Sequence, residues 1–346
     1  MIPACDLREL AEVSARIGGN PLLVQGAGGN SSIKNDDELW VKASGTWLAE
    51  ACERDIFVPL SRSRVDRDLR EQGLISAHAI LADRGDEGLR PSIETALHAL
   101  MPQRVVLHAH AVNAMALSVQ ADGETITARL LGDTCRWRWI PYRQPGSPLA
   151  AAVRDALAQA PADVLLLQNH GVVVGADTPA AAEALLQDVE RRLHMEPRTF
   201  PDPPLIAPAG FEDDAYELHR AASGAALDPA AVALLTGQAL IPDQVVFLGG
   251  AVPALPEGEI PSRHAAALKQ RIGVSPALLL LPGRAAFAAR QRSTGTEDVI
   301  QGLLAIARRV PPGARVTGLA NEDVGALLNW DAEHYRLALD SARAAR

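Results

Sequence analysis

Five prolines crowd into residues 196–210, EPRTFPDPPLIAPAG. Each fixes φ and removes a backbone donor, so neither a helix interior nor a central strand can run through them. The stretch predicts an extended linker. It divides the chain into a first domain, residues 1–195, and a second, residues 211–346. Both have ordinary domain size. With 48% apolar and 22% charged residues the chain has globular composition.

Several classes are excluded at this level. Net charge is −9 and the Lys and Arg residues are scattered, so no nucleic-acid partner is expected. No apolar run approaches the roughly 20 residues that cross a bilayer, so no membrane partner is expected. The N-terminus, MIPACDLREL, has neither a basic n-region nor an apolar h-region, so no signal peptide is expected. Cys5, Cys52 and Cys135 are odd in number and unpatterned, which points to a reducing compartment and a cytoplasmic location.

In the first domain, Asp6–Arg16 reads as a helix. LLVQGAGGNSSIK reads as a strand, a glycine-rich turn and a second strand start, and ELWVKASG as a short strand. PSIETALHAL reads as a helix with Ser92 at its N-cap, and RVVLHAHAV as a strand. SPLAAAVRDALAQA is a helix and DVLLLQNHGVVVGA a strand pair. TPAAAEALLQDVERRLH is a helix capped by Thr178 with Pro179 at its first position. In the second domain DQVVFLG and ALLLLPG read as strands. TGTEDVIQGLLAIARRV and VGALLNWDAEHYRLALDSARAA read as helices, with Glu333 and His334 in solvent.

The chemistry starts in VVLHAHAV. Residues i and i+2 of a strand share a face, so His108 and His110 project together and Ala109 points away. Neutral imidazoles offer lone pairs to a metal such as zinc at about 2.0–2.1 Å. Two ligands do not hold a metal, and His170, at the end of the apolar run VLLLQNHG, is the candidate third. Three histidines with one open position form a common catalytic zinc arrangement. The same residues also suit satisfied strand histidines, because HxH alone is a weak motif.

Glu94 lies in the first turn of the PSIETALH helix. Acidic residues are favoured there by the helix dipole, and a carboxylate near a metal can shuttle a proton. His98, at i+4, reads as a helix-face or packing partner. GAGGNSS and KASGT, with the helix start at Ser92, read either as tight turns or as phosphate-binding backbone. GAGGN is neither GxGxxG nor a P-loop.

The ordered set GGNSS, VKASG, PSIETALH, VVLHAHAV and VLLLQNHGVVVGADT resembles the class II aldolase/adducin family over roughly residues 10–195. PSIETALHALMPQRVVLHAH, PDQVVFLG and LLNWDAEHYR are similar to the aldolase part of bifunctional rhamnulose-phosphate aldolase/dehydrogenase proteins. No GxGxxG follows a strand, so no dehydrogenase part is expected.

The resemblance implies a three-layer α/β/α fold with a mostly antiparallel central sheet, plus a smaller C-terminal α/β domain. It implies a homotetramer with sites at subunit interfaces. It makes His108, His110 and His170 zinc ligands, with another divalent metal as an alternative, and Glu94 the acid/base at or near the fourth position. Asn30, Ser44, Gly45 and Ser92 fall where the family holds a substrate's phosphate. A second serine often precedes the glutamate, and here that place is Ile93, which weakens the case for a phosphorylated substrate. The reaction implied is cleavage of a ketose or ketose phosphate through a metal-stabilised enediolate. Tyr142, after CRWRW, is a candidate to reach a neighbouring subunit's site.

Three other readings stay open. Epimerases, dehydratases and decarboxylases reuse the same histidines. An adducin-like module keeps the fold without catalysis. A Schiff-base aldolase needs a pocketed lysine, for which Lys42 in LWVKASG is the candidate.

Overall fold

The computed structural model describes residues 1–71, 73, 75–81, 88–203, 206–208, 211 and 213–344. They form two compact units. One is Met1–Ser118 with Glu124–His194, and the other is Val119–Gly123 with Met195–Arg346.

The first unit opens with α1 (Ala4–Gly18), β1 (Asn30–Lys34), β2 (Glu38–Lys42), β3 (Phe57–Ser61) and α2 (Arg62–Glu71). It continues with α3 (Thr95–Leu100), β4 (Val105–Ala109), α4 (Val112–Ser118), α5 (Gly123–Leu131) and β5 (Trp137–Ile140). It closes with α6 (Ser147–Gln159), β6 (Val164–Leu167), β7 (Gly171–Ala176) and α7 (Pro179–Arg192). The strands build a seven-stranded sheet in the order β3-β2-β1-β4-β7-β6-β5. Only the β5–β6 pair is parallel.

Helices α1 and α7 pack on each other and on β1, β4 and β7, while α3 and α6 pack together with α2 beside them. A core of Leu97, Met101, Val106, Leu149, Val153, Leu165 and Val173 joins α3 and α6 to the sheet. This is the expected three-layer arrangement with a mostly antiparallel sheet. Thr178 caps α7, its side chain accepting from Ala181 N–H, with Pro179 in the first turn.

The second unit holds β8 (Tyr216–Leu218), α8 (Arg220–Ala226), α9 (Pro229–Gly237), α10 (Pro242–Leu248), α11 (Pro261–Ile272), β9 (Leu278–Leu281) and β10 (Ala285–Ala289). It ends with α12 (Thr294–Arg309), α13 (Asn321–Leu328) and α14 (Asp331–Ala344). Its three strands form an antiparallel sheet, β8-β10-β9. The described part of the proline-rich stretch has no helix or strand. Phe200 there is buried, with the Arg308 guanidinium over its ring, and Arg198 pairs with Asp228. No single helix among the described residues is long and apolar enough to cross a membrane.

Four sequence expectations are corrected. Leu22–Gln25 is not a strand, because Asn20 Oδ1 accepts from Leu22 N–H and turns the chain at Asn20–Pro21. DQVVFLG forms α10, not a strand. Pro242 starts it, Gly249 at φ 85° stops it, and burial on every side erases the periodicity that would have marked a helix. The last helix is broken into α13 and α14 at Asn329–Trp330. Glu333 is not in solvent: it is 2% exposed and lies 3.2 Å from Arg336, which also pairs with buried Asp243.

Candidate active site

Strand register places the polar residues. In the β1–β4 ladder Asn30 lies opposite His108 and Ser32 opposite Val106. Directly opposed residues share a face, and alternation puts Val106 and His108 on one side of β4. Val106 belongs to the core under α3 and α6. Asn30, Ser32 and His108 therefore face α3, and Glu94 and His98 come down from that helix to meet them.

His110 follows the last residue of β4. His170 ends the short turn from β6 to β7, which is closed by the Leu167–Gly171 pair and by His170 N–H donating to Leu167 O at 3.1 Å. Asn169 sits at φ 58°, a left-handed conformation that asparagine tolerates better than most residues. Between the three imidazoles the ring centroids are 5.0 Å (His108–His110), 4.9 Å (His108–His170) and 5.1 Å (His110–His170). One nitrogen from each lies within 4.8 Å of the others, and all three residues are buried, so the group could hold a metal ion.

Such close packing needs missing side chains. A Cβ on Gly28 would lie 2.7 Å from His110 Nδ1, and one on Gly29 would lie 2.7 Å from His108 O. On Gly171 it would lie 2.3 Å from Ala109 O. The glycine-rich loop thus lets backbone close on the histidines. Lys42 Nζ donates to Ala27 O at 3.1 Å and ties that loop to β2.

Glu94 is 5% exposed. Its Oε2 lies 3.3 Å from His108 Nε2 and its Oε1 3.6 Å from His170 Nε2. Burial pushes this carboxyl up, but His108, His170 and a hydrogen bond from Asn30 prevail and hold it at about 2. His108 Nδ1 lies 3.0 Å from Val172 O, and a carbonyl can only accept, so Nδ1 carries a proton. In the neutral ring, Nε2 then presents its lone pair to an ionised carboxylate. Two electron-rich groups facing each other in a buried site call for a cation between them, a proton or a metal ion. The donor set fits a metal.

Ser92 does not cap the helix as expected. α3 begins at Thr95 with Glu94 in the N-cap position, so Glu94 is not in the first turn. Ser92 Oγ instead accepts from Glu94 N–H at 3.2 Å, while its carbonyl accepts from Thr95 Oγ1 at 2.6 Å, closing a tight turn. Asn30 Nδ2 donates to Glu94 Oε2 at 2.8 Å and to Ser92 Oγ at 3.3 Å. Ser44 and Gly45 join through backbone only: Ala43 bridges Pro91, Ser44 N–H donates to Arg90 O, and Gly45 turns at φ 76°. Tyr142 N–H donates to Gln168 Oε1, just before the His170 turn.

The family described as Class II Aldolase and Adducin N-terminal domain matches residues 8–196. The chain belongs to the class II aldolase and adducin family. It is 29% identical over 189 residues to the uncharacterized oxidoreductase YuxG of Bacillus subtilis (strain 168). That match covers 50% of this chain and 27% of YuxG, so the chain spans about a quarter of that relative's length.

Solved structures also match, among them the following two. The N-terminal class II aldolase domain of a conserved Thermoplasma acidophilum protein is 25% identical with a TM-score of 0.48, covering 56% of this chain and 94% of that one. A sugar-phosphate aldolase from Thermotoga maritima is 16% identical with a TM-score of 0.44, covering 54% of this chain and 91% of that one.

The structure brings Asn30, Ser92, Glu94, His108, His110 and His170 into one cluster, with Ser44 and Gly45 on the adjoining backbone. Sequence reading did not single out Gly28, Gly29, Gly171, Ser32 or Asn169, and it left His98 as packing. Ser32 and Asn169 become visible only through register and turn geometry.

Proposed function

We propose that this chain is a metal-dependent aldehyde-lyase that cleaves a ketose or ketose phosphate. The observation that carries the reading is the buried His108/His110/His170 cluster with the Glu94 carboxylate 3.3 and 3.6 Å from two of its nitrogens. His108, His110 and His170 would hold the ion, taken here as zinc on its preference for three histidines and an open position. When bound it supplies Lewis-acid polarisation of a substrate carbonyl.

Glu94 moves the proton. In cleavage the hydroxyl that becomes the aldehyde gives up its proton as the C–C bond breaks, and Glu94 carries a proton to the carbon beside the carbonyl; in synthesis, ionised, it takes that proton from the carbon again. Asn30, Ser44, Gly45 and Ser92 bind the substrate's anionic or hydroxyl end. The Ile93 side chain supplies no donor there. Residues 1–195 carry the reaction and residues 211–346 a separate domain. Assembly as a homotetramer and a cytoplasmic location complete the reading.

The test is metal content by plasma mass spectrometry, followed by a panel of ketoses and ketose phosphates assayed for released aldehyde. Cleavage lost on chelation and restored by zinc is the expected result. A metal-loaded protein that releases no aldehyde, yet epimerises, dehydrates or decarboxylates a sugar acid or phosphate, would overturn it.

A further inference from the structure

His98 is fully buried on α3 and was assigned above neither to the candidate metal site nor to the substrate groups. Its two ring nitrogens are both engaged. Nδ1 lies 2.7 Å from Ser32 Oγ, and Nε2 is hydrogen-bonded to Asn30 Oδ1. Lys34 Nζ, also buried, donates to the His98 carbonyl at 2.8 Å and holds that turn of α3 against β1.

The proton positions in this chain of contacts follow from the Asn30 amide, whose Nδ2 donates to Glu94 Oε2 at 2.8 Å and to Ser92 Oγ at 3.3 Å. That leaves Asn30 Oδ1 facing His98, and an amide oxygen can only accept. His98 Nε2 is therefore the N–H, its Nδ1 is the acceptor, and Ser32 Oγ–H donates to it. Register makes the chain possible, since Asn30 and Ser32 stand two apart on β1 and point to α3 together.

Without the His98 donor, the Asn30 amide would have no partner for its buried oxygen and nothing would hold it in its present orientation. A flip would aim that oxygen at the Glu94 carboxylate. We propose that His98 is a positioning residue: it locks the Asn30 amide so that its N–H fixes the Glu94 carboxylate against the histidine cluster. The inference rests on Glu94 being the proton carrier, and outer partners of this kind act on the groups they orient.

Three measurements on the zinc-loaded full chain test it. Nitrogen-15 NMR of the wild type, with His98 assigned by through-bond correlation of its ring to its own backbone, reads the tautomer directly. A protonated Nε2 and bare Nδ1 are expected, and a protonated Nδ1 with bare Nε2 overturns the proposal even if no substituted protein folds. Crystal structures of His98→Met and His98→Gln read the position of Glu94. In the Met variant the Asn30–Glu94 contact is lost, and in the Gln variant, whose amide can still donate to Asn30, it is kept. An unmoved Asn30 and Glu94 in His98→Met overturns the proposal.

Kinetics form the third arm. His98→Met keeps the wild-type metal content, and kcat falls about 10- to 100-fold while KM changes far less, as for other orienting partners. His98→Gln restores most of kcat. A metal-loaded Met variant with wild-type kcat, or a loss that Gln does not rescue, overturns the proposal. The first two arms need no substrate. If the wild type cleaves no ketose, the lyase reading fails and the His98 assignment is still decided.

Discussion

Gly28 backs onto His110 so closely that a methyl group on its Cα would sit 2.7 Å from the ring's Nδ1 and 2.9 Å from Gln25 O. One of those neighbours is backbone and the other is a ring in the candidate metal site. Neither can yield without moving the loop or the imidazole. The absent side chain is thus part of the site.

Gly28→Ala is therefore expected to displace His110. Metal affinity measured by equilibrium dialysis should fall by at least about tenfold, as when a ligand's orientation is disturbed. Far-ultraviolet circular dichroism should stay unchanged. Wild-type affinity in this variant would mean the loop absorbs the methyl group without involving His110.

Removing a ligand outright goes further. His110→Ala leaves two histidines, and plasma mass spectrometry should find little retained zinc after dialysis, since three protein ligands are the usual catalytic minimum. Unchanged metal content would remove His110 from the site.

Glu94→Gln separates metal from chemistry. The amide oxygen can still accept from Asn30, so the metal should stay. Turnover should drop by about 10²–10⁴, the usual worth of a positioned acid or base. Wild-type turnover with full metal would take Glu94 out of the mechanism.

Lys34 gives a pH signature outside the cluster. Burial, helped by the nearby Arg62 charge and opposed by Asp66, lowers its pKa from 10.5 to about 7. Between those values the unfolded chain binds a proton that the folded chain lacks, so this residue makes stability rise with pH. Lys34→Met should therefore gain most on the wild type in thermal melts below pH 7, with the difference shrinking towards pH 10. A difference independent of pH would show that Lys34 stays charged in the fold.

Glu297 acts in acid. Burial raises its pKa, but hydrogen bonds from Gln301, Arg292 and His219 outweigh that and hold it at about 2. A lowered pKa means stability that is full above about pH 4.5 and lost as pH falls towards 2. Denaturant midpoints should show wild type ahead of Glu297→Gln at pH 6, with the lead shrinking below pH 4.5 and gone once pH falls past about 2. A constant difference would mean the carboxylate's charge contributes nothing.

Legibility followed the range of the interaction. β4, β6 and β7 were readable because their short apolar runs, β-branched in β4 and β7, report local preference, and the three histidines stood out against those runs. Ser92 was placed as a cap on local preference alone, and its hydroxyl went to Glu94 N–H instead. α10 was hidden because a helix buried all round has no polar face. The roles of Gly28 and Gly171 depend on which backbone comes close from elsewhere in the chain. His98 looked like packing because its partners, Asn30 and Ser32, lie more than sixty residues upstream.

The sheet order has a kinetic consequence. β1 must find β4, and β4 must find β7, before Asn30, His108 and His170 can share a face. Both are non-local pairings, and closing such loops costs chain entropy before the contacts reward it. His170 is thus 60 residues from His110 in the newly made chain and joins the His108/His110 pair only when the centre of the sheet has closed. Capture of a metal ion should then wait for these pairings in refolding, and its uptake would report, in a single stopped-flow trace, that the centre of the sheet has closed.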